Sequence, residues 1–356
     1  MPVNRHFLGA VCIAGAVGNL LTIKVLKHAS NKQNTTNWLL QALAVVDSLY
    51  LFTRLLADQF QFFACRDVGW LPVVVSQLSA ITAPYVAFGA SLMHLISVWM
   101  VVVITVDRYI AVYLPNDVHL RTVRRAKLIV ACVTIASIIC YLPHFVVWKS
   151  DNTLQCGDSR TLPVASPVPK QWSWWLVSYQ IFCDCLVRTL IPFVVLVALS
   201  SCVVVRLRRI SRQISSTKHQ QQRGQKKQKK VKNKNNWRKS LMLTMLAVIT
   251  LFIGCQLPQL IVRISILVLK LSSINHLNEE IMQQASNVAS GLLVINATAN
   301  FFVYCATGNS FRRVLLELFH RRFNQKIAAN WSNIRNRKHK VEMASVPKPA
   351  ESANNK

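Results

Sequence analysis

The chain has 356 residues, of which 52% are hydrophobic and 15% charged, and carries a formal net charge of +29. A soluble protein holds roughly a quarter charged residues, so this composition, with a mean hydropathy of +0.32, argues against a soluble domain and for a membrane protein. The charge does not point to nucleic acid: the basic residues gather between apolar runs and after the last one, and the longest basic stretch holds a single aromatic, Trp237.

Seven apolar runs approach or exceed the roughly 20 residues that a helical span needs. They cover about 7–26, 37–62, 72–106, 127–148, 173–205, 241–271 and 281–306. Backbone groups in lipid must pair within the segment, and runs this long are not barrel strands, so the pattern predicts a seven-helix bundle. The third and fifth runs exceed one crossing and should tilt or project into water. The first run starts near Phe7 and lacks a small-residue cleavage site. It is read as a span that doubles as the targeting signal, with residues 1–6 as a short outer N-terminus; a fragment lacking an outer segment is the alternative.

The loops set the orientation. Basic residues follow spans one (Lys27, Lys32), three (Arg121, Arg124, Arg125, Lys127), five (about 208–238) and seven (Arg312, Arg313, Arg321, Arg322), while the alternate loops are nearly balanced. The positive-inside rule then places the N-terminus outside and the C-terminus in the cytoplasm. Residues 219–236, rich in Gln and Lys, cannot bury a core and read as a cytoplasmic loop. Its flanks, "RLRRI" and "NWRKS", read as continuations of helices five and six that can touch anionic lipid or an acidic partner. Of the ten cysteines, Cys65 and Cys156 lie in polar stretches where a disulfide is permitted if both are extracellular.

Polar residues inside the spans are few. Asp47 is a mid-membrane carboxylate, costly enough to imply a function. Asn296 and Asn300 are four apart and share a helix face. With Asn19 and Ser97 they form a candidate polar network that binds a small cation or waters, or simply joins helices. Asp107 and Arg108 close the third span with adjacent opposite charges. The aspartate can hold the arginine by a charge-assisted bond, making a switch, or the arginine can merely snorkel to the interface.

The ordered motifs resemble the rhodopsin-like G-protein-coupled receptors over about residues 7–320. The resemblance rests on "GNLL" with Asn19, "LAVVD" with Asp47, "DRY" with Asp107, Arg108 and Tyr109, Pro192 in "LIPFVV", "FIGCQLP" with Phe252, Cys255 and Pro258, and "NFFVY" with Asn300 and Tyr304. "NSFRRVLLELF" is similar to the family's amphipathic helix, about 307–320, with Phe311, Leu315 and Phe319 toward lipid; residues 321–356 form a cytoplasmic tail. Gln256 and Phe301 replace the usual tryptophan and proline, which makes altered basal activity an expectation. The usual cysteine opening helix three is missing, with Ala83 near its place, so the family's outer disulfide falls to Cys65 and Cys156, two free thiols being the alternative. Segments such as "APYV", "TVRRAK" and "YLPHFVVW" are most similar to the invertebrate FMRFamide-type neuropeptide receptors.

That resemblance implies an extracellular short amidated peptide as ligand and a heterotrimeric G protein as partner, with arrestin, receptor kinases and membrane lipid as further partners. It implies a plasma-membrane location, no enzyme activity, and a possible sodium ion at Asp47. Arg108, freed from Asp107, would meet the G protein, with Pro258 as hinge and Phe252, Tyr109 and Tyr304 repacking around it. An amidated peptide with a penultimate arginine needs an outer carboxylate: Asp58, Asp184, Glu279 or Glu280. Asp184 stands one turn from Arg188 and is a candidate for internal pairing. Gln256, Gln259 and Arg263 on helix six can meet a carbonyl or amide terminus, and His94 either faces this pocket or packs between helices. A receptor for another ligand is the runner-up; an amine is disfavoured because no acid lies between Gln77 and Val106. No inverted repeat supports a transporter, and no HExxH or GxSxG motif supports an enzyme.

Overall fold

The computed structural model describes residues 5–29, 35–64, 71–114, 117, 119, 121–143, 149–155, 161–166, 178–179, 181–218, 243, 247, 250–265, 268, 279–308 and 311–320. Among them are seven bundle helices: α1 (Arg5–Ala29), α2 (Thr35–Ala64), α3 (Leu71–Tyr113), α4 (Val123–Tyr141), α5 (Ile181–Leu190 in π geometry, then Ile191–Lys218 in α geometry), α6 (Thr250–Ser265) and α7 (Glu279–Thr307). Five described stretches are long and apolar enough to cross a membrane, in α1, α2, α3, α5 and α7. α6 is apolar over a shorter described length. α4 opens with Arg124, Arg125 and Lys127, which lower its hydropathy.

Each boundary has a local cause. Thr122 caps α4 by accepting the Arg125 backbone N–H at 3.4 Å. The helix stops two residues before Pro143, well short of the sequence expectation of 148, because a proline disfavours helical backbone just before it. α1 ends with Lys27 and His28 in its last turn, where cations complement the helix dipole. α5 changes from π to α geometry at Ile191–Pro192. Proline lacks an N–H and its ring crowds the carbonyl four residues back, which favours a widened turn on its N-terminal side. Past the apolar run, α5 carries "RLRRI" in helix as far as Lys218.

Exposure is inverted relative to a soluble protein. On α1, Ile13, Val17 and Leu20 point outward while Cys12, Gly15, Asn19 and Thr22 are buried. Leu128, Ile135 and Ile139 form a similar outward apolar face on α4. Such faces are a liability in water and the expected surface in lipid. Within, α3 is enclosed: His94, Leu95, Ile96, Ser97 and Val98 are all buried in succession, which leaves no outward face over a full turn. One apolar cluster joins α1, α2, α3 and α7 (Cys12, Leu51, Ala90, Val294). A second joins α2, α3 and α4 (Leu43, Ile96, Met100, Ala126), and a third joins α3, α5 and α6 (Val98, Val102, Leu196, Phe252).

Between α4 and α5 lies an antiparallel hairpin, β1 (Lys149–Gln155) with β2 (Thr161–Ser166). Leu154 pairs with Leu162 and Gln155 with Thr161, and the register shifts between Lys149 and Asn152. The sequence reading foresaw no strands here. A ten-residue helix, 311–320, belongs to a second compact unit. Phe311 and Leu315 are half-buried in it, whereas Phe319 is exposed beside Leu316.

α1 approaches its neighbours closely. A Cβ at Gly15 would collide with Thr298 Oγ1 and lie 2.8 Å from Leu51, while one at Gly254 on α6 would meet nothing within 4 Å. Gly15→Leu should therefore destabilise the purified protein through overpacking, by about 1–3 kcal/mol, and lower its Tm. Gly254→Ala should hold or raise it. Thermal unfolding of the two variants side by side checks this.

Candidate functional site

Three polar clusters interrupt the apolar packing. The central one surrounds Asp47, which is fully buried. Ser97 of α3 donates its hydroxyl to Asp47 Oδ1 at 2.5 Å, and the Asn300 amide of α7 donates to Oδ2 at 2.6 Å. Asn19 sits nearby on α1 and donates to the Ala297 carbonyl at 3.4 Å. So three of the network's five predicted members, Asp47, Ser97 and Asn300, converge directly, and a fourth, Asn19, braces α7. Asn296, one turn before Asn300, makes no hydrogen bond to Asp47 among the described residues. Nor does any described cation pair with Asp47. The carboxylate is ringed by hydroxyl and amide groups whose oxygens suit a hard cation such as sodium.

The second cluster lies toward the hairpin end of the bundle. Asp184, turned inward by the π segment, receives the Tyr141 hydroxyl of α4 at 2.9 Å on Oδ1. Arg263 of α6 donates to its Oδ2. Arg188 places Nη2 3.1 Å from Oδ1 and donates from Nη1 to the Tyr141 hydroxyl at 3.1 Å. The Gln259 amide, with its oxygen toward Arg263, accepts from Nε at 3.0 Å and Nη2 at 3.3 Å. Buried Gln256 lies with its side-chain nitrogen 3.1 Å from His94 Nε2. The His94 ring stands 5.3 Å from that of Tyr50. His94 thus packs between helices and also borders the cluster. The pairing of Asp184 with Arg188 one turn on is present, but Asp184 is shared with Arg263 and Tyr141 as well, so it is not an open carboxylate awaiting a ligand's arginine. The side chains of Asp58, Glu279 and Glu280, and both Cys65 and Cys156, lie outside the described residues.

The third cluster, at the opposite end of α3, corrects the expected Asp107–Arg108 bond. Asp107 Oδ1 pairs with Arg121 Nε at 3.2 Å, and Oδ2 accepts from Thr36 Oγ1 at 2.6 Å. Thr35 in turn donates to the Arg121 carbonyl at 2.7 Å. Adjacent helical residues project about 100° apart and do not face each other, so Arg108 is directed away from its neighbour's partners. It lies within electrostatic reach of Tyr304 on α7 as well as Asp107. Tyr109 turns the other way. It stacks on Tyr113 at 4.5 Å and packs against Val203 and Leu207 of α5. Phe252 packs in the α3–α5–α6 cluster, and Pro258 is partly buried one turn above Cys255 and Gly254. Thr36 and Tyr141 escaped the sequence reading, and Arg121 entered it only as one of the basic residues after span three; their partners in these bonds are 14 to 71 residues away.

The fold agrees with direct comparison. The family described as "7 transmembrane receptor (rhodopsin family)" matches residues 18–304, and the chain belongs to it. It is a multi-pass membrane bundle of a receptor family, not an enzyme. Among individual relatives, it is 23% identical over 320 residues to the FMRFamide receptor of Drosophila melanogaster, covering 88% of this chain and 53% of that protein. It is 27% identical over 310 residues to the somatostatin receptor type 4 of Rattus norvegicus, covering 86% and 70%. It is 29% identical over 201 residues to the 5-hydroxytryptamine receptor 2A of Drosophila melanogaster, covering 56% and 22%. The chain thus spans about half of the fly FMRFamide receptor's length and about a fifth of the fly 5-hydroxytryptamine receptor's.

The Asp107 cluster makes a quantitative expectation. Thr36→Val and Arg121→Gln each remove one support of the same buried carboxylate, so their effects on stability should not add. A double-mutant cycle on Tm-derived free energies should show a coupling of at least about 0.5 kcal/mol. Simple additivity would mean that the two contacts act separately.

Proposed function

We propose that the chain is a G-protein-coupled receptor in the plasma membrane, N-terminus outside, that binds a short amidated peptide of the FMRFamide type and activates a heterotrimeric G protein. The observation that carries the receptor reading is the family match across 18–304, joined to a polar cluster at the hairpin end and a tethered Asp107 at the other. The Drosophila melanogaster FMRFamide receptor, similar over 88% of this chain, supports the peptide. The rat somatostatin receptor type 4, matched over 70% of its own length, favours a second reading, a different peptide. The similarity to a 5-hydroxytryptamine receptor weighs less, because α3 carries no acid between Gln77 and Val106 to meet an amine.

In this mechanism the ligand shifts the bundle only by its differential affinity for two states. It enters at the hairpin end, with Asp58, Asp184, Arg188, Gln256, Gln259, Arg263 and His94 as candidate contacts. Helix α6 swings about Pro258, Phe252 and Tyr304 repack, and Arg108 with Tyr109 receives the G protein. Asp107 stays with Arg121 and Thr36 in the resting state and loses them on activation. A Cys65–Cys156 disulfide would fasten the outer loops, and arrestin and receptor kinases would act on the basic tail and loop.

Calcium release in cells co-expressing this chain with a promiscuous G-protein α subunit tests the reading. A panel of short amidated peptides should yield a saturable response that Arg108→Ala abolishes. Silence across the panel, with the receptor at the surface, retracts the FMRFamide assignment.

Asp47, with Ser97, Asn296, Asn300 and Asn19, is proposed to hold sodium, supplying a cation to an otherwise uncompensated buried carboxylate. Sodium should then raise the Tm of the ligand-free protein above that in equal potassium, and Asp47→Asn should erase the difference while leaving a folded protein.

A further inference from the structure

Among the described residues, the polar cluster at the hairpin end is charged out of balance. Arg188 and Arg263 bring two guanidinium groups to one carboxylate, Asp184. Its other described neighbours, Tyr141, Gln256, Gln259 and His94, bring hydrogen-bonding groups and no second carboxylate. Asp184 is close to saturated: Oδ1 takes the Tyr141 hydroxyl and the Arg188 ion pair, and Oδ2 takes Arg263. A carboxylate offers about four acceptor positions, so little of it remains for an incoming cation.

The donors are in surplus instead. Arg188 is 3% exposed, and its Nη2, though 3.1 Å from Asp184, makes no hydrogen bond among the described residues. A buried N–H left without a partner is destabilising, and more so on a charged group. Arg263 is 33% exposed, and its position on α6 shows what it is exposed to. Phe252, Gln256 and Gln259 are buried on one side of this helix, while Gly254, Ile261 and Ile264 face outward on the other. At 100° per residue, Arg263 falls on the side of Phe252, Gln256 and Gln259. Its open edge therefore turns into the bundle and not into lipid. A positive charge in excess among the described residues, in a low-dielectric interior, with an unbonded guanidinium nitrogen at Arg188 and an inward-facing edge at Arg263, suits an anion.

We propose that this cluster is a carboxylate-binding subsite, in which Arg263 and Arg188 pair with an anionic group of the ligand while Asp184 and Tyr141 hold the two guanidinium groups in place. The inference rests on the ligand-receptor reading above and adds the chemistry of what is recognised. The carboxylate comes from an acidic side chain of an amidated peptide or from a free C-terminus; both present the same planar pair of oxygens to a guanidinium fork.

The test uses the full-length purified receptor and three small probes of one shape: benzoate, benzamide and benzamidine. Benzoate should raise the Tm saturably. At ten times its dissociation constant it multiplies the folded-to-unfolded ratio about elevenfold, while benzamide and benzamidine leave it unchanged. Arg263→Gln should abolish the benzoate shift and Arg263→Lys should restore part of it; if Arg263→Gln does not fold, the three probes on the parent protein decide. Equal shifts from all three probes, a shift from benzamidine alone, or none from benzoate overturns the proposal. Two capped peptides, one with its single carboxylate on a side chain and one with it at the C-terminus, then identify the source by which of them stabilises. A receptor silent to amidated peptides in the calcium assay but stabilised by benzoate loses the FMRFamide assignment and keeps this subsite; the reverse result removes only the subsite.

Discussion

Everything in this bundle is arranged around the enclosure of α3. A helix with five successive buried residues, His94 to Val98, must satisfy its polar side chains from other helices, since neither water nor lipid reaches it. Ser97 is satisfied by Asp47 of α2, and His94 by Gln256 of α6. The apolar residues between them divide into the clusters that bind α2, α4, α5, α6 and α7. The polar contacts therefore also fix the rotation of the outer helices about α3. An unpaired group at either position would cost about 1–3 kcal/mol.

The two ends of α3 solve different problems with the same chemistry. Toward the hairpin, an aspartate holds two arginines from α5 and α6 and a tyrosine from α4. At the far end, an aspartate of α3 itself is held by an arginine from the α3–α4 connection and a threonine from α2. The first ties together helices that would otherwise meet only by packing. The second closes a short connection against α2, and Thr35 completes it by binding the Arg121 carbonyl. Between them, Asp47 is a buried carboxyl group with no cationic partner among the described side chains. Three acidic centres are thus spaced along one enclosed helix, each touching a different set of neighbours.

Much of the architecture was legible in the apolar runs, because length and hydropathy alone separate spans from connections in a membrane protein. The convergence of Asp47, Ser97 and Asn300 followed from their rarity inside spans, and the Asp184–Arg188 pair from helical spacing. The Asp107–Arg108 bond did not hold, since adjacent helical side chains project about 100° apart and Asp107 meets Arg121 and Thr36 instead. The roles of Arg121, Thr36 and Tyr141 were invisible for the opposite reason: each is an ordinary residue at a helix end or in a connection, made important only by a partner on another helix. The hairpin was missed because strands that lie outside lipid need no apolar run, and Pro163 in β2 argues locally against one.

The π geometry of Ile181–Leu190 has a consequence for how this chain is compared with others. Removing a single residue from that stretch would let it close into ordinary α-helix and rotate everything upstream by about 100°. Asp184 would then leave Tyr141 and Arg263 while its identity stayed the same. Relatives whose fifth helix lacks the widened turn align with this chain only across a one-residue gap before Pro192. Whether such a relative possesses the charged cluster is decided by where that gap falls, and an aspartate matched to Asp184 without it is a match in letters only.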